Sequence, residues 1–522
     1  MSKRLILILA LAFMAAFAFA AYAEVQNVKV SGDITMSGVY RNNFDFTKSV
    51  NAGSNNASNY NDQETDLLSI TRVRVDADLT DNVSATVRLL NERNWNGEST
   101  TTVGANKNIN MATDTTTGGA NSEDKVSVDL AYVTLKEFLY SPLTLTVGRQ
   151  ELHFGNDWLI GDPDTNGIAL RSSLAEGDLS ARKAFDAIRA TLNYDPLVVD
   201  VLYAKVAEKT PTLDDDITLM GLNANYALNK DTTLEGFYFG KIKGASNNLA
   251  VTTSVTNIDA ASAAVYTTST LAGGNPSVNK ADTVHTIGGR VVNKTVKNLT
   301  VDVAAAYQFG TYNPRFDPNA RYISASQKAE TAPRSAWGLE AIGTYDLKDI
   351  SMISKYSPSV TGAYVYLSGE SRDRTGGATY RGWDAMFENQ TFGHIINATL
   401  GFSNASIVGL SLKAKPMEDI TVKLDGVGLW FNKKFTENRL DILSGVDTAR
   451  QFRMRNKSFA GQEYDLTVSY DYTEDVQFSL LGGVFLPSKA INGNLAVNND
   501  GTYNNKNRTP ATELIGTMKV TF

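Results

Sequence analysis

The stretch Tyr464–Tyr472 reads YDLTVSYDY and alternates an apolar or aromatic residue with a polar or charged one at every step. A β-strand points successive side chains to opposite faces, so this period of two predicts a strand with one apolar and one polar face. The segments 28–41 and 70–80 have the same period. Such a strand suits a wall between lipid and water, although the strands of a soluble β-sandwich alternate in the same way.

The number and spacing of such segments separate these two fold classes. Short turns such as Asp195-Pro196 alternate along the chain with long polar connections such as 244–281. A membrane barrel has short turns at one end and long loops at the other, whereas a sandwich has no reason to sort its loops by length. We therefore predict an all-β fold, a single transmembrane antiparallel β-barrel of about 18 strands, with 16 as the alternative. The predicted strands lie near 27–41, 67–80, 82–95, 124–138, 142–151, 184–194, 197–207, 215–228, 231–243, 282–293, 297–309, 335–346, 357–368, 403–415, 419–432, 462–473, 475–486 and 510–522.

Residues 1–23 read MSKRLILILALAFMAAFAFAAYA and have the three parts of a secretory signal peptide. Lys3 and Arg4 form the basic region, an apolar core follows, and Ala21-Tyr22-Ala23 supplies the cleavage site. An uncleaved membrane helix is the alternative, but the apolar run is short for a span and ends in small residues. We expect export to the outer membrane of a Gram-negative-type bacterium, with residues 24–522 forming the barrel.

The composition argues against several kinds of site. The chain has no Cys and three His, which excludes thiolate catalysis and disulfides and disfavours a His-rich metal centre. Its 49 Lys and Arg against 56 Asp and Glu give a net charge of −7, which argues against a nucleic-acid partner. We expect no cofactor and no enzymatic activity. The enzymatic alternative, a barrel hydrolase, would need His153 or His394.

A weak metal candidate begins at Asp162, where DPDTNG matches the first half of a calcium-binding loop. The position at which such a loop needs a bidentate Glu is Ser173, and no flanking helix is predicted. We therefore interpret the stretch as a turn stabilised by its Asx side chains, with no metal. A looser cation site would use Asp162 and Asp164, together with Asp157.

The polar faces of the predicted strands carry charges that lipid would not tolerate. An Arg or Lys that faces lipid at mid-membrane costs about 2–4 kcal/mol, so these side chains are predicted to line the lumen. Two interpretations stay open: a ladder of salt bridges that supports the wall, or a guanidinium track that draws a polyanion through the pore. The candidate pore-lining residues on these faces are Arg72, Arg74, Arg88, Asp129, Arg149, Arg189 and Arg290.

Part of the chain resembles a known family. The stretches VGRQEL (147–152), LIGD (159–162) and FDAIR (185–189) are similar to the signature of the alginate-export family of outer-membrane proteins. The resemblance implies an eighteen-stranded barrel that passively exports an anionic polysaccharide through an arginine-lined constriction. Arg149 and Arg189 are then the contacts of the polyanion, and Asp186 is an acid that moderates its binding.

The same resemblance implies the surroundings of the chain. We expect an anionic polysaccharide or small solutes in the pore, outer-membrane lipid and lipopolysaccharide around the wall, periplasmic export components as partners, and a monomer. The loop 152–183 joins two charged strands and is predicted to fold inward and narrow the pore. The other functions left open are a general diffusion porin without polysaccharide specificity and a barrel with a structural or adhesive role.

Overall fold

The computed structural model describes most of the chain outside the N-terminal segment and the long connections. The predicted signal peptide, residues 1–23, lies outside the described residues and stays a prediction. No helix within the described part of the chain is long and apolar enough to cross a membrane. The described residues are 27–44, 46, 63–95, 126–163, 177–207, 216–244, 280–313, 331–370, 378–434, 439–441, 452–454, 456–493 and 508–522.

Across these residues the chain forms strands almost throughout, together with the short α-helix α1 (His394–Thr399). The strands in chain order are β1 (Asn27–Asn42), β2 (Gln63–Thr80), β3 (Val83–Asn94), β4 (Ser127–Leu135), β5 (Leu143–Glu151), β6 (Ala184–Asn193), β7 (Leu197–Ala207), β8 (Ile217–Asn229), β9 (Thr232–Lys243), β10 (Asp282–Asn293), β11 (Leu299–Tyr312), β12 (Ala332–Asp346), β13 (Ser359–Leu367), β14 (Ala405–Met417), β15 (Ile420–Phe431), β16 (Arg439–Asp441), β17 (Phe452–Met454), β18 (Phe459–Asp471), β19 (Val476–Pro487), β20 (Ile491–Gly493) and β21 (Ala511–Thr521).

Eighteen of these strands form one closed antiparallel sheet, and β16, β17 and β20 form a separate small sheet. The barrel closes where β1 pairs with β21, with Met36 opposite Met518. On its other side β1 pairs with β2, with Asp33 opposite Arg72. A closed sheet has no edge strand, since each of the eighteen strands pairs with a neighbour on both sides.

The predicted barrel of eighteen strands is confirmed, and the alternative of sixteen is wrong. Each predicted segment coincides with one barrel strand, with ends that agree within about four residues. The strands β16, β17 and β20 and the helix α1 were not predicted. They are too short for a period to be recognised, and they lie inside connections that were interpreted as loops.

The two faces of the wall differ as the alternation requires. Large apolar side chains point outward and are exposed on the isolated chain, among them Leu410, Leu466 and Trp337. Inward-pointing side chains are of two kinds. Polar ones include Ser37 and Thr517, whose hydroxyls lie 3.1 Å apart across the closing pair of strands. Apolar ones include Leu202 and Ile407, which are buried in one cluster with apolar side chains of the connections 152–163 and 378–402. The wall therefore presents an apolar surface to lipid and a mixed polar and apolar surface to the inside.

An aromatic row crosses the outer face of β9 to β12. The ring centroids of Tyr238 and His285 are 6.0 Å apart, those of His285 and Phe309 are 5.3 Å apart, and those of Tyr307 and Trp337 are 4.9 Å apart. Aromatic girdles of this kind mark the level at which a barrel wall meets the membrane interface.

The outward orientation of Leu466 can be tested by charge placement. The substitution Leu466→Arg puts a guanidinium against lipid. In vesicles it is expected to lower the free energy of unfolding by about 2–4 kcal/mol. The substitution Ser469→Arg on the inner face of the same strand is the control and should cost much less. If urea titrations gave the same loss of unfolding free energy for both variants, the assignment of faces would be contradicted.

Candidate functional site

The predicted arginines of the inner face are all paired with carboxylates. Arg72 donates through Nε to Asp33 at 2.8 Å, and Arg74 pairs with Asp76 at 2.7 Å. The remaining pairs are Arg88 with Asp129 and Glu151, Arg189 with Asp200, and Arg290 with Asp302 and Glu235. The pair of Arg88 with Glu151 reaches from β3 to β5, and the others join neighbouring strands or neighbouring positions of one strand. Together they form the ladder that was one of the two interpretations.

The paired arginines differ in how far they reach solvent. The side chain of Arg88 is 9% exposed, whereas those of Arg72 and Arg189 are 23% and 30% exposed. Arg189 donates through Nε to Asp200 at 2.7 Å, and its guanidinium lies 5.3 Å from the ring centroid of Phe154. Because a single Nε contact uses one of five guanidinium donors, Arg72 and Arg189 retain N–H groups that Asp33 and Asp200 do not occupy.

Arg149 and Asp186 occupy a different place. They form a bidentate pair at 2.8 and 2.7 Å, on the strand face that also carries the outward-facing Val147 and Ile188. Arg149 also donates to the carbonyl of Val128 at 3.2 Å, where the pairing of β4 with β5 ends. Alternation thus places Arg149 and Asp186 on the opposite face of the wall from Arg189. Because their pair lies where the pairing of β4 with β5 ends, it is at the rim of the wall, where a charge costs little.

Two segments that follow barrel strands fold together, and we call residues 152–163 and 378–402 the plug. Ile160 and Phe387 form a parallel β-bridge. The amides of Gly161 and Asp162 donate to the carbonyl of Phe387 at 2.8 and 3.0 Å. The plug has an apolar centre, in which the stacked rings of Trp158 and Trp383 lie 5.4 Å apart, and most of its large apolar side chains are buried.

One side of the plug is attached to β9, β11 and β12. Lys241 of β9 forms an ion pair with Asp384, whose own backbone exchanges hydrogen bonds of 2.7 and 2.8 Å with the side chain of Gln308 on β11. Asn156 donates to Glu340 on β12. Burial of Asp384 raises its pKa and Lys241 lowers it, and the ion pair prevails, so the pKa lies below its usual range.

The other side of the plug is attached to β18. The Glu463 carboxylate accepts the backbone N–H groups of Ile395 and Ile396, both at 2.7 Å, and Asp465 accepts that of His394 at 3.4 Å. The strands β9 and β18 lie on different sides of the closed sheet, separated by six others. The plug therefore crosses the lumen.

The loop 152–183 also touches the wall far from its own strands. Arg41 of β1 holds Asp178 at 2.7 Å and Glu513 of β21 at 2.6 Å. Ser180 donates to Glu92 of β3 at 2.9 Å. The described parts of this loop thus lie inside the barrel, as the sequence suggested.

The remaining candidates are the possible metal ligands Asp162 and Asp164 and the histidines His153 and His394. Asp162 is buried in an ion pair with Lys183, Asp164 lies outside the described residues, and the described residues contain no group of three or more His, Asp or Glu placed to hold a metal ion. His153 pairs with Asp157 at 3.0 Å, a hydrogen bond that raises the pKa of His153, while burial lowers the pKa of His394.

Sequence reasoning missed the residues that hold the plug. Glu463 and Asp465 were visible only as polar positions of an alternating strand, and nothing in the sequence marks them as partners of 394–396. Lys241 and Asp384 are 143 positions apart, and only the folded barrel brings them together.

Gly338 on β12 provides a test of the plug's contact with the wall. A Cβ at this position would lie 2.6 Å from Trp383 and 2.7 Å from Trp158, so Gly338→Val must displace the stacked rings. Overpacking of this kind costs about 1–3 kcal/mol, and we expect a lower Tm and a larger single-channel conductance. Gly343→Val on the same strand is the control, since a Cβ there meets nothing within 4 Å. Identical Tm and conductance in both variants would show that the plug does not rest on β12.

Comparison with known proteins agrees with this architecture. The sequence profile of the alginate export family matches residues 35–500. No curated protein sequence matches the chain.

Three solved structures share this fold. Pseudomonas aeruginosa OccK8 (OprE) is 10% identical over 95% of this chain and 98% of its own, with a TM-score of 0.50. Acinetobacter baumannii OccAB1 is 10% identical over 96% and 99%, with a TM-score of 0.50. Pseudomonas aeruginosa OpdO is 8% identical over 96% and 98%, with a TM-score of 0.51. At these identities the likeness concerns the fold alone. From the profile, which spans most of the sequence, the chain belongs to the alginate export family of outer-membrane β-barrels.

Proposed function

We propose that this protein is a passive outer-membrane channel for anionic solutes, such as sugar acids and extended stretches of an acidic polysaccharide. The observation that carries the proposal is a lumen crossed by the plug and lined by the arginines Arg72 and Arg189, which keep unused donors, with Arg189 beside Phe154 of the plug. Transport follows the concentration gradient and requires neither catalysis nor a cofactor.

The width of the barrel supports a channel. Eighteen strands enclose more space than side chains can fill, so the lumen contains water. The plug takes up part of this space, which favours solutes that are small or that pass as a single extended chain. Ladder pairs such as Arg72 with Asp33 keep the wall polar along the path.

Partial neutralisation of the arginines suits passage rather than retention. Asp33 and Asp200 each occupy one donor of Arg72 and Arg189, respectively. A passing carboxylate therefore meets charge-assisted donors whose attraction is already reduced, and weak binding is what conduction requires.

A general diffusion porin is the second candidate. It is favoured by the same pairing, because each of the five predicted arginines on the inner face pairs with a carboxylate, which reduces the attraction of the wall for anions. The two candidates differ in how strongly the channel prefers an anion over a neutral solute of equal size.

The surroundings of the barrel complete the proposal. Short turns face the periplasm and long loops face the exterior, as in other outer-membrane barrels. The N-terminal segment 1–23 is removed on export, lipid and lipopolysaccharide surround a monomeric wall, and periplasmic export components deliver the solute.

Swelling of proteoliposomes in isosmotic galacturonate or galactose separates the candidates. Wild-type channels should admit galacturonate faster than galactose, because the exposed guanidinium groups attract its carboxylate. The double variant Arg72→Gln/Arg189→Gln should lose this preference while galactose entry is unchanged. Arg149→Gln is the matched control at the rim and should behave as the wild type. Equal entry of both sugars in the wild type would identify a general porin, and no entry of either would refute a channel.

A further inference from the structure

Two lysines face each other across the pair of strands β14 and β15. Lys413 of β14 is the register partner of Lys423 of β15. Their strand neighbours Leu412 and Leu424 point outward and are 43% and 45% exposed, so alternation turns both lysines toward the lumen. Two ammonium groups therefore leave the wall side by side and point into the pore.

This arrangement does not help the barrel to fold. Like charges directly opposite each other on a sheet are destabilising. The inner wall has another such pair, Arg74 opposite Arg88, but there each arginine has its own carboxylate, with Asp76 beside Arg74 and Asp129 beside Arg88.

The lysine pair has one carboxylate for two charges. Lys423 lies 3.0 Å from Asp425 and is 48% exposed, and among the described residues no carboxylate lies within 4.0 Å of the Lys413 ammonium. On the two flanking strands, Lys413 is paired with Ser359 of β13 and Lys423 with Thr467 of β18, and both partners are neutral. One positive charge is therefore left uncompensated at an exposed position of the inner wall.

The pair lies close to the plug. Asp425, two residues from Lys423, is the register partner of Asp465, which accepts the N–H of His394. Two residues of a strand span about 7 Å, so the lysines face the lumen just on the short-turn side of helix α1. A solute that passes the plug on this side must pass them.

We propose that Lys413 and Lys423 form an oxyanion-contact site of the pore, which takes the carboxylate or phosphate group of a passing solute. The site deepens the proposed function and rests on it. Lysines are flexible point charges without the fixed fork of a guanidinium, so they accept an oxyanion in many orientations and release it readily. Asp425 limits the net charge of the site to one, which keeps the contact weak.

Reversal potentials in planar bilayers under a KCl gradient test the proposal. The double variant Lys413→Gln/Lys423→Gln should lower the permeability ratio of chloride to potassium by about twofold or more. Lys413→Arg/Lys423→Arg should retain the wild-type ratio. Lys348→Gln/Lys355→Gln removes the same charge from the periplasmic connection that follows β12, outside the barrel strands, and should also retain it.

Current block identifies the oxyanion. Sodium gluconate and sodium phosphate, added separately to the periplasmic side, should reduce the wild-type chloride current, and the Gln double variant should be less sensitive to both or to one. A structural pair would lower the Tm when removed, whereas loss of this repulsion should leave the Tm equal or higher. An unchanged permeability ratio and unchanged block in a conducting double variant would overturn the site. A wild-type protein that does not conduct at all would refute the proposed channel instead.

Discussion

Every second side chain of a barrel strand points to the same face, and this constraint decides where each charge of the chain can lie. The outer face meets lipid, so charges gather on the inner face or at the rim, where Arg149 and Asp186 form their pair. Inner-face charges that lie close together must be compensated, and the ladder from Arg72 to Arg290 does this with one carboxylate or more for each guanidinium.

The plug depends on the same inner face. Its backbone passes through the lumen, where amides that are not exposed to water need acceptors. Glu463 supplies them for Ile395 and Ile396, and Gln308 does so for Asp384. Inner-wall polar groups thus have two uses, since some of them pair with each other and others hold the segments that narrow the path. The lysine pair 413/423 fits neither use, which is why it points to the solute.

The order and ends of the barrel strands could be predicted, because lipid on one side and water on the other impose a period that each strand shows by itself. Contacts that depend on the register between paired strands could not be predicted. The sequence analysis grouped Arg149 with Arg189. Only the pairing of strand β5 with strand β6 shows that their side chains lie on opposite faces of the wall. Likewise, the like-charge pair of Lys413 and Lys423 exists only because β14 and β15 pair in one particular register. The plug could not be predicted from any short stretch of sequence, since its anchors join residues far apart in the chain.

The plug crosses the lumen and rests against β18 and β19. The chain contains no Cys, so a pair of introduced thiols can be interpreted without ambiguity. A Cβ at Gly483 of β19 would lie 3.5 Å from Cδ1 of Ile395 in the plug and 2.6 Å from Oδ1 of Asp465, so the Asp465 carboxylate must turn slightly to admit it. The double variant Ile395→Cys/Gly483→Cys, treated in native outer membranes with a short thiol-to-thiol cross-linker, should give the faster-migrating looped species on a denaturing gel. Failure of these two thiols to cross-link, when Ile395→Cys paired with a cysteine in the long loops does cross-link, would contradict a plug held inside the barrel.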